Sequence, residues 1–497
     1  MDAGQSLGES TPSERGQSRW ATYLFPPLGL IPLFRNPPKA GEIISQLAFI
    51  GLYSVVYAAL LGILFVQIGI LHVVVDGSGL PWLSTRLART DFDSLEQHRA
   101  GQGDVSAEFS GGVYWTDFRG PNRDGHYEEQ ELKLDWDKAK PKLLWKQPIG
   151  GGYASFVIAR GLAYTIEQRR EFETVAAYDL KTGHEVWTNS WKARFTESEG
   201  MGGNGPRSTP LWHDGRVYAL GALGEFRCLD AVTGTNIWNR HALNDSMATQ
   251  LQFGCTASPI IVDDKVIVPT GHPAGKHGHG VIAYNRTNGE PAWQSVKEKI
   301  AYASPVLAGS QLLVFSGLHF LGLEPSDGRV LWKHPWNVSY DNSIAQPLVL
   351  DDNKFFISAG YGQGCEMLKI RPGKESHSVE SLWRNKFLKN KFSSTVYHDG
   401  HLYGLDNNIL VCLDSETGRK QWKDGRYGYG QILLAQGHII IMCGNGDLAL
   451  VKASPDEQIE VARFAALNGK TWNHPALADG KLLIRNHSEM ACYDLAP

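Results

Sequence analysis

The chain has 497 residues, 42% hydrophobic and 20% charged, with 48 Lys and Arg against 52 Asp and Glu for a formal net charge of −4. That length exceeds one ordinary core, so it calls for several domains, a repeat array or one large closed β architecture; the near-balanced charge gives no electrostatic footprint for nucleic acid. Its 54 Gly, 15 Trp, 18 Tyr and 19 Phe favour short strands and tight turns over an all-α fold, and six Cys are too few for a disulfide scaffold.

Residues 1–42 read as a polar, then Pro-rich cytoplasmic segment, with Pro26, Pro27, Pro32, Pro37 and Pro38 making an extended approach. From Ile43 to Val75 no charge occurs. About 20 apolar residues cross the hydrocarbon layer, so residues 43–75 predict one transmembrane helix. The preceding segment is too long for a cleavable signal peptide, which makes this an anchor. Arg15, Arg19, Arg35 and Lys39 lie before it, and Arg86 and Arg89 after it. The basic excess places the N-terminus in the cytoplasm, so the chain is expected in the inner membrane, single-pass, with its bulk in the periplasm. Residues 76–112 read as a linker, with a short helix around residues 80–95.

Beyond the linker one phrase recurs: an apolar strand, an acidic residue, a turn ending in Gly, and a strand ending in Trp. Its copies end at Trp187, Trp238, Trp293, Trp332 and Trp422; degenerate ones lie at Cys365–Trp383, with an inserted turn, and at Leu448–Phe464, where Phe replaces Trp. The spacings sit around the period of a propeller blade. Each unit also has an earlier strand pair around a polar turn, as in Ser208–Leu220, Ala257–Pro269 and Ala303–Phe315, and there are eight such pairs. The prediction is all-β: an eight-bladed β-propeller of four-stranded antiparallel blades over residues 113–497, preceded by the transmembrane α-helix.

The ends predict closure. The last residues, Met490–Pro497, supply a third strand without a Trp-bearing fourth, and the segment around Trp145 is a lone fourth strand before the first complete unit. Joined, they complete the eighth blade. Gly183, Gly234, Gly289, Gly328 and Gly418 occupy a turn position suited to positive φ, and Asp179, Asp230 and Asp414 can accept from the turn's N–H groups. The outer-strand Trp residues are expected to lie against the next blade with the indole N–H on a carbonyl.

These phrases resemble the tryptophan-docking repeats of the pyrroloquinoline-quinone (PQQ) superfamily of eight-bladed propellers. The superfamily includes quinoprotein alcohol dehydrogenases and the non-enzymatic propeller lipoprotein of the outer-membrane β-barrel assembly machinery. Phe118–Gly125, Asn204–Pro210 and Trp422–Gln431 resemble in particular bacterial, often membrane-anchored PQQ-like repeat proteins. The repeat implies the fold and leaves activity open, because both branches carry it.

A PQQ enzyme needs stacking surfaces, cations for three carboxylates, an oxygen-ligated Ca²⁺ and a carboxylate base. The dehydrogenases commonly have a disulfide between adjacent cysteines, and no adjacent pair exists here: Cys228, Cys255, Cys365, Cys412, Cys443 and Cys492 are dispersed. If a ligand binds, the axial funnel is the expected place. Arg207, Asn204, Lys391, Trp472 and Asn473 are then the cofactor-binding candidates, Asp341 and Asn342 the Ca²⁺ ligands, and Asp341 the catalytic candidate. Competing readings are a salt bridge from Arg207 to Glu197 or Glu199, and an Asx turn at Asp341–Asn342. His272, His277 and His279 read as a solvated loop, the pairs Asp263–Asp264 and Asp351–Asp352 as turn formers, and Phe118–Gly125, with Arg119 and Arg123, as a plug or strap. The leading expectation is an extracytoplasmic platform for protein partners; the alternative is a PQQ- and Ca-dependent dehydrogenase of alcohols or sugars that passes electrons to membrane quinone.

Overall fold

The computed structural model describes residues 40–75, 81–85, 89–102, 109, 111–197, 202–371, 373 and 377–497. The Pro-rich approach, Glu199 and parts of the linker lie outside them. The chain divides into two compact units, Met1–Val74 with Trp82–Arg86, and Val75–Pro81 with Leu87–Pro497.

In the first unit, helix α1 spans Ala40–Gln67. The sequence predicts a continuous span to Val75. Instead the helix ends as Gly69 turns with φ 77°, and the β-branched run His72–Val75 forms a strand paired with Pro81–Ser84. Among the described residues no helix is long and apolar enough to cross a membrane.

The expected linker helix also moves. It is α2, Phe92–Ala100, because Asp91 caps it by accepting from Asp93 N and Ser94 N, whereas Pro81–Ser84 is extended. Helix α2 is a clasp rather than a spacer. Arg99 donates to Pro148 O at 3.0 Å and His98 meets Gln147 Oε1 at 2.9 Å, which ties α2 to the outer strand of blade 8.

The second unit carries eight blades. Blade 1 is built from Val157–Ala159, Leu162–Arg169, Phe172–Asp179 and Glu185–Lys192, and blades 2 to 6 repeat that antiparallel order. Blade 7 gains a fifth strand, since His126–Tyr127 lies parallel to Gln431–Ala435 on its inner edge. Blade 8 combines Ala476–Ala478, Lys481–Arg485 and Glu489–Asp494 with Lys142–Pro148, in the register Cys492↔Trp145 and Ala491↔Lys146. Closure is therefore as the chain ends predict. Buried Arg485 ties the seam between blades 8 and 1, donating to Thr165 Oγ1 at 2.8 Å and Gly150 O at 2.9 Å.

Blade-to-blade packing follows the repeated phrase. Trp145, Trp187, Trp238, Trp293, Trp383 and Trp422 each donate the indole N–H to a carbonyl of the following blade, at 2.9–3.2 Å. Trp332 departs from this pattern and donates to Gln311 Oε1. The connection it would meet in blade 5, between Gly364–Arg371 and Ser378–Asn385, lies partly outside the described residues. Gly234 shows why the turn excludes a side chain: its φ is 71°, and a Cβ would sit 2.5 Å from the Trp187 ring.

Candidate functional site: the axial funnel

Each inner strand begins near the axis with an equivalent residue: Ser155, Thr209, Ser258, Ser304, Gln346, Ser394, Gln431 and His474, all buried. They link neighbouring blades into a polar collar. Ser155 N donates to Thr209 Oγ1, Thr209 N to Ser258 Oγ, Ser258 N to Ser304 Oγ and Gln346 N to Ser394 Oγ, at 2.8–3.0 Å. Ser155 Oγ closes towards blade 8 on His474 O at 2.6 Å. Burial pushes the His474 imidazole down to about 3; its ring nitrogens lie 2.7 Å from Pro475 O and 2.9 Å from Ile432 O, and the neutral ring donates to one of them.

The segment Gly112–Tyr127 plugs the axis at this collar. It runs up blade 1, with Val113 bridged to Ala159 and Trp115 O accepting from Ile158 N, and it returns down blade 7 through His126 and Tyr127. At its tip, Arg119 donates to Thr395 O of blade 6 and Asp124 O, both at 2.9 Å, and Arg123 to Pro259 O of blade 3 at 2.8 Å and to Asp117. Both arginines have positive φ and are buried. Burial lowers Arg119 to about 10, and its guanidinium serves carbonyls.

Above the collar the loops between blades converge as aromatic rings with interleaved cations. Trp472 lies 4.6 Å from Phe392 and 5.6 Å from Tyr153; Phe392 lies 5.5 Å from Tyr429, and Phe253 5.3 Å from Tyr302. Arg207 sits over Phe195, Tyr153 and Phe253 at 4.9–5.9 Å, Lys391 over Tyr429, Tyr361 and Phe392 at 4.9–5.4 Å, and Lys470 over Trp472 at 4.7 Å. Gln431 donates to the Phe392 and Trp472 carbonyls, which holds those two loops together.

Of the residues expected from sequence, Arg207, Lys391 and Trp472 meet in this dish. Among the described residues Arg207 forms no ion pair; it donates to Gly203 O and Gly205 O, while burial lowers its basicity. Glu197 N donates to Asn204 Oδ1, and Glu199, the other partner expected for Arg207, lies outside the described residues. Asn204 is thus an exposed loop brace. Asn473 is buried below, donating to Ala154 O at 2.9 Å. The Asp341 carboxylate is held by Lys299 at 2.7 Å, and Asn342 Oδ1 is buried without a protein partner. Sequence reasoning missed Lys470, Phe392 and the collar. The recurring Ser-Pro or Thr-Pro before the inner strand was the available signal for the collar.

A calcium-bound quinone would need an oxygen cluster beside a stacking surface. Among the described residues no group of three His, Cys, Asp or Glu is placed to hold a metal, and Asp341 is neutralised by Lys299. The aromatic rings and interleaved cations suit a flat anion. All six cysteines are free and buried.

The closed ring of Trp-docked blades with an axial loop funnel defines a quinoprotein-like eight-bladed propeller. The family described as Outer membrane protein assembly factor BamB matches residues 171–424, about half of the chain, and the chain belongs to that family. Outer membrane protein assembly factor BamB of Yersinia pestis is 28% identical over 320 residues, covering 60% of this chain and 75% of that protein. Quinohemoprotein alcohol dehydrogenase of Comamonas testosteroni is 28% identical over 146 residues, 29% of this chain and 20% of that protein. Among solved structures, BamB from Moraxella catarrhalis superposes with TM-score 0.51 at 13% identity, covering 71% of this chain and 100% of that one. A europium-containing methanol dehydrogenase gives 0.56 at 11% identity, covering 78% and 91%. These structures share the fold.

Proposed function

We propose that the protein is a membrane-anchored, extracytoplasmic propeller that serves as a binding platform for protein partners in an assembly process. The observation that carries this reading is the plugged axis. Arg119 and Arg123 are committed to carbonyls inside it, so recognition falls to the rims and loop faces. Membership of an assembly-factor family supports the same reading. Anchoring rests on α1, where Leu52, Val55, Leu60 and Ile63 are more than half exposed, an apolar surface that suits lipid.

Photo-cross-linkers at Tyr340 and Leu318, both well exposed, test the platform in membranes from the source cell. Discrete adducts with envelope proteins are expected; adducts absent there but present with soluble cytoplasmic proteins would overturn it. Carbonate extraction tests the anchor. The full chain should stay with the membrane and be released when residues 40–67 are removed.

The second reading, a PQQ-dependent dehydrogenase, draws on the cations Arg207, Lys391 and Lys470 beside Trp472. Titration with PQQ and Ca²⁺, followed by Trp quenching and by dye reduction with alcohols and sugars, separates the two. Saturable binding with alcohol-dependent reduction would sink the platform reading.

A further inference from the structure

Although the whole chain is nearly neutral, the outer rim of blades 5 and 6 carries a local excess of cations. The segment Trp383–Asn390 holds Arg384, Lys386 and Lys389 without an acid, and the outer strand of blade 6, Lys420–Arg426, adds Lys420, Lys423 and Arg426 against one acid, Asp424. Folding brings the two segments together, since Lys420 Nζ lies 5.6 Å from the Phe387 ring.

The neutralising carboxylates lie underneath. Lys389 and Lys423 share the single carboxylate of Asp406, which is 1% exposed, and Arg384 approaches buried Glu366 only to 3.9 Å. Lys386, Lys420 and Arg426 form no ion pair among the described residues. The surface layer is therefore cationic. It is also preorganised: Phe387 N donates to Asn385 Oδ1 and Lys389 Nζ to Lys386 O, both at 2.9 Å. At its centre the Phe387 side chain is 46% exposed, and Leu382 nearby 39%. The Lys420–Arg426 strand ends its sheet, so its free edge suits an extended chain more than a lipid headgroup.

We propose that this rim docks an acidic, extended polypeptide segment with an apolar side chain, its carboxylates meeting Lys386, Lys420 and Lys423 while the apolar group packs on Phe387. This deepens the platform reading, on which it rests, by naming the chemistry of the partner. Steering by the cations makes the association salt-dependent.

The test uses the full chain and a short fluorescent Glu-rich peptide with one central Leu, with its Gln-rich counterpart as control. Saturable binding of the acidic peptide is expected, with carbodiimide cross-links concentrated at Lys386, Lys420 and Lys423. The double change Lys386→Glu, Lys420→Glu should weaken binding about tenfold or more, the Arg replacements should retain it, and Phe387→Ala should weaken it at high salt. Cross-links spread equally over exposed lysines such as Lys138 and Lys276, or unchanged affinity in the Glu variant, overturn the proposal. Vesicles of phosphatidylglycerol in phosphatidylcholine are run in parallel. Binding to them that the Glu variant abolishes, without peptide binding, overturns it in favour of a lipid surface. If rim photo-cross-links persist while this map fails, the docking proposal falls alone; if quinone-dependent turnover appears, the platform reading falls by its own assay.

Discussion

Glu173 is fully buried between blades 1 and 2, where its oxygens accept from Trp191 Nε1 at 3.0 Å and Ala222 N at 2.9 Å. Burial outweighs those bonds and raises its carboxyl from 4.5 to about 7. The folded chain thus holds this proton more tightly than the unfolded one. The associated stability is complete below about 4.5 and lost as pH rises through about 7. Unfolding by urea at a series of pH values should show wild type losing about 3 kcal/mol relative to Glu173→Gln across that window. A pH-independent difference would refute the assignment. Turn glycines allow a second comparison at this scale. Gly234 and Gly215 both have φ above 70°, but a Cβ meets the Trp187 ring at the first and nothing within 4 Å at the second. Gly234→Ala should cost about 3 kcal/mol and Gly215→Ala about 1 in denaturant titrations, because only one adds a clash to the backbone strain.

At the scale of elements, the plug was legible as a segment: Phe118–Gly125 was expected to plug or strap the ring. Its detailed course was not, because the partners of Arg119 and Arg123 are carbonyls of blades remote in sequence. Replacing Arg119 by Met keeps much of its bulk but leaves Thr395 O and Asp124 O without their donor. The expected loss is about 3 kcal/mol, read as a lower urea midpoint, with native-like far-UV dichroism retained. Helix α2 shows the same limit. Asp91 caps it locally, yet its role as a clasp depends on Pro148 and Gln147, far along the chain. The inserted turn within Cys365–Trp383 was legible in sequence, but the donation of Trp332 to Gln311 was not.

For the whole molecule, closure is the property that holds the ring. Ala491 is fully buried and paired with Lys146 across the seam. Proline there removes a ladder donor and opposes the strand geometry, so Ala491→Pro should cost about 3 kcal/mol or more. Limited proteolysis should then cut first in the segment joining Tyr127 to Lys142; undiminished protease resistance would contradict the role of this closure in holding the ring. The same closure brings residue 145 beside residue 492, which makes this seam the longest-range contact in the sheets.

Sequence by itself determined the blade count, the turn glycines, the Trp docking and the pairing of the two ends. Each is written locally, as a repeated phrase or an unfinished one, and eight repetitions make the pattern audible above noise. Tertiary structure decided what the axis contains and which charges share a surface. The collar, the aromatic dish around Arg207 and Lys391, and the shared Asp406 beneath Lys389 and Lys423 all join residues from different blades. Their spacing along the chain has no period to read, because only the curvature of the closed ring brings them together.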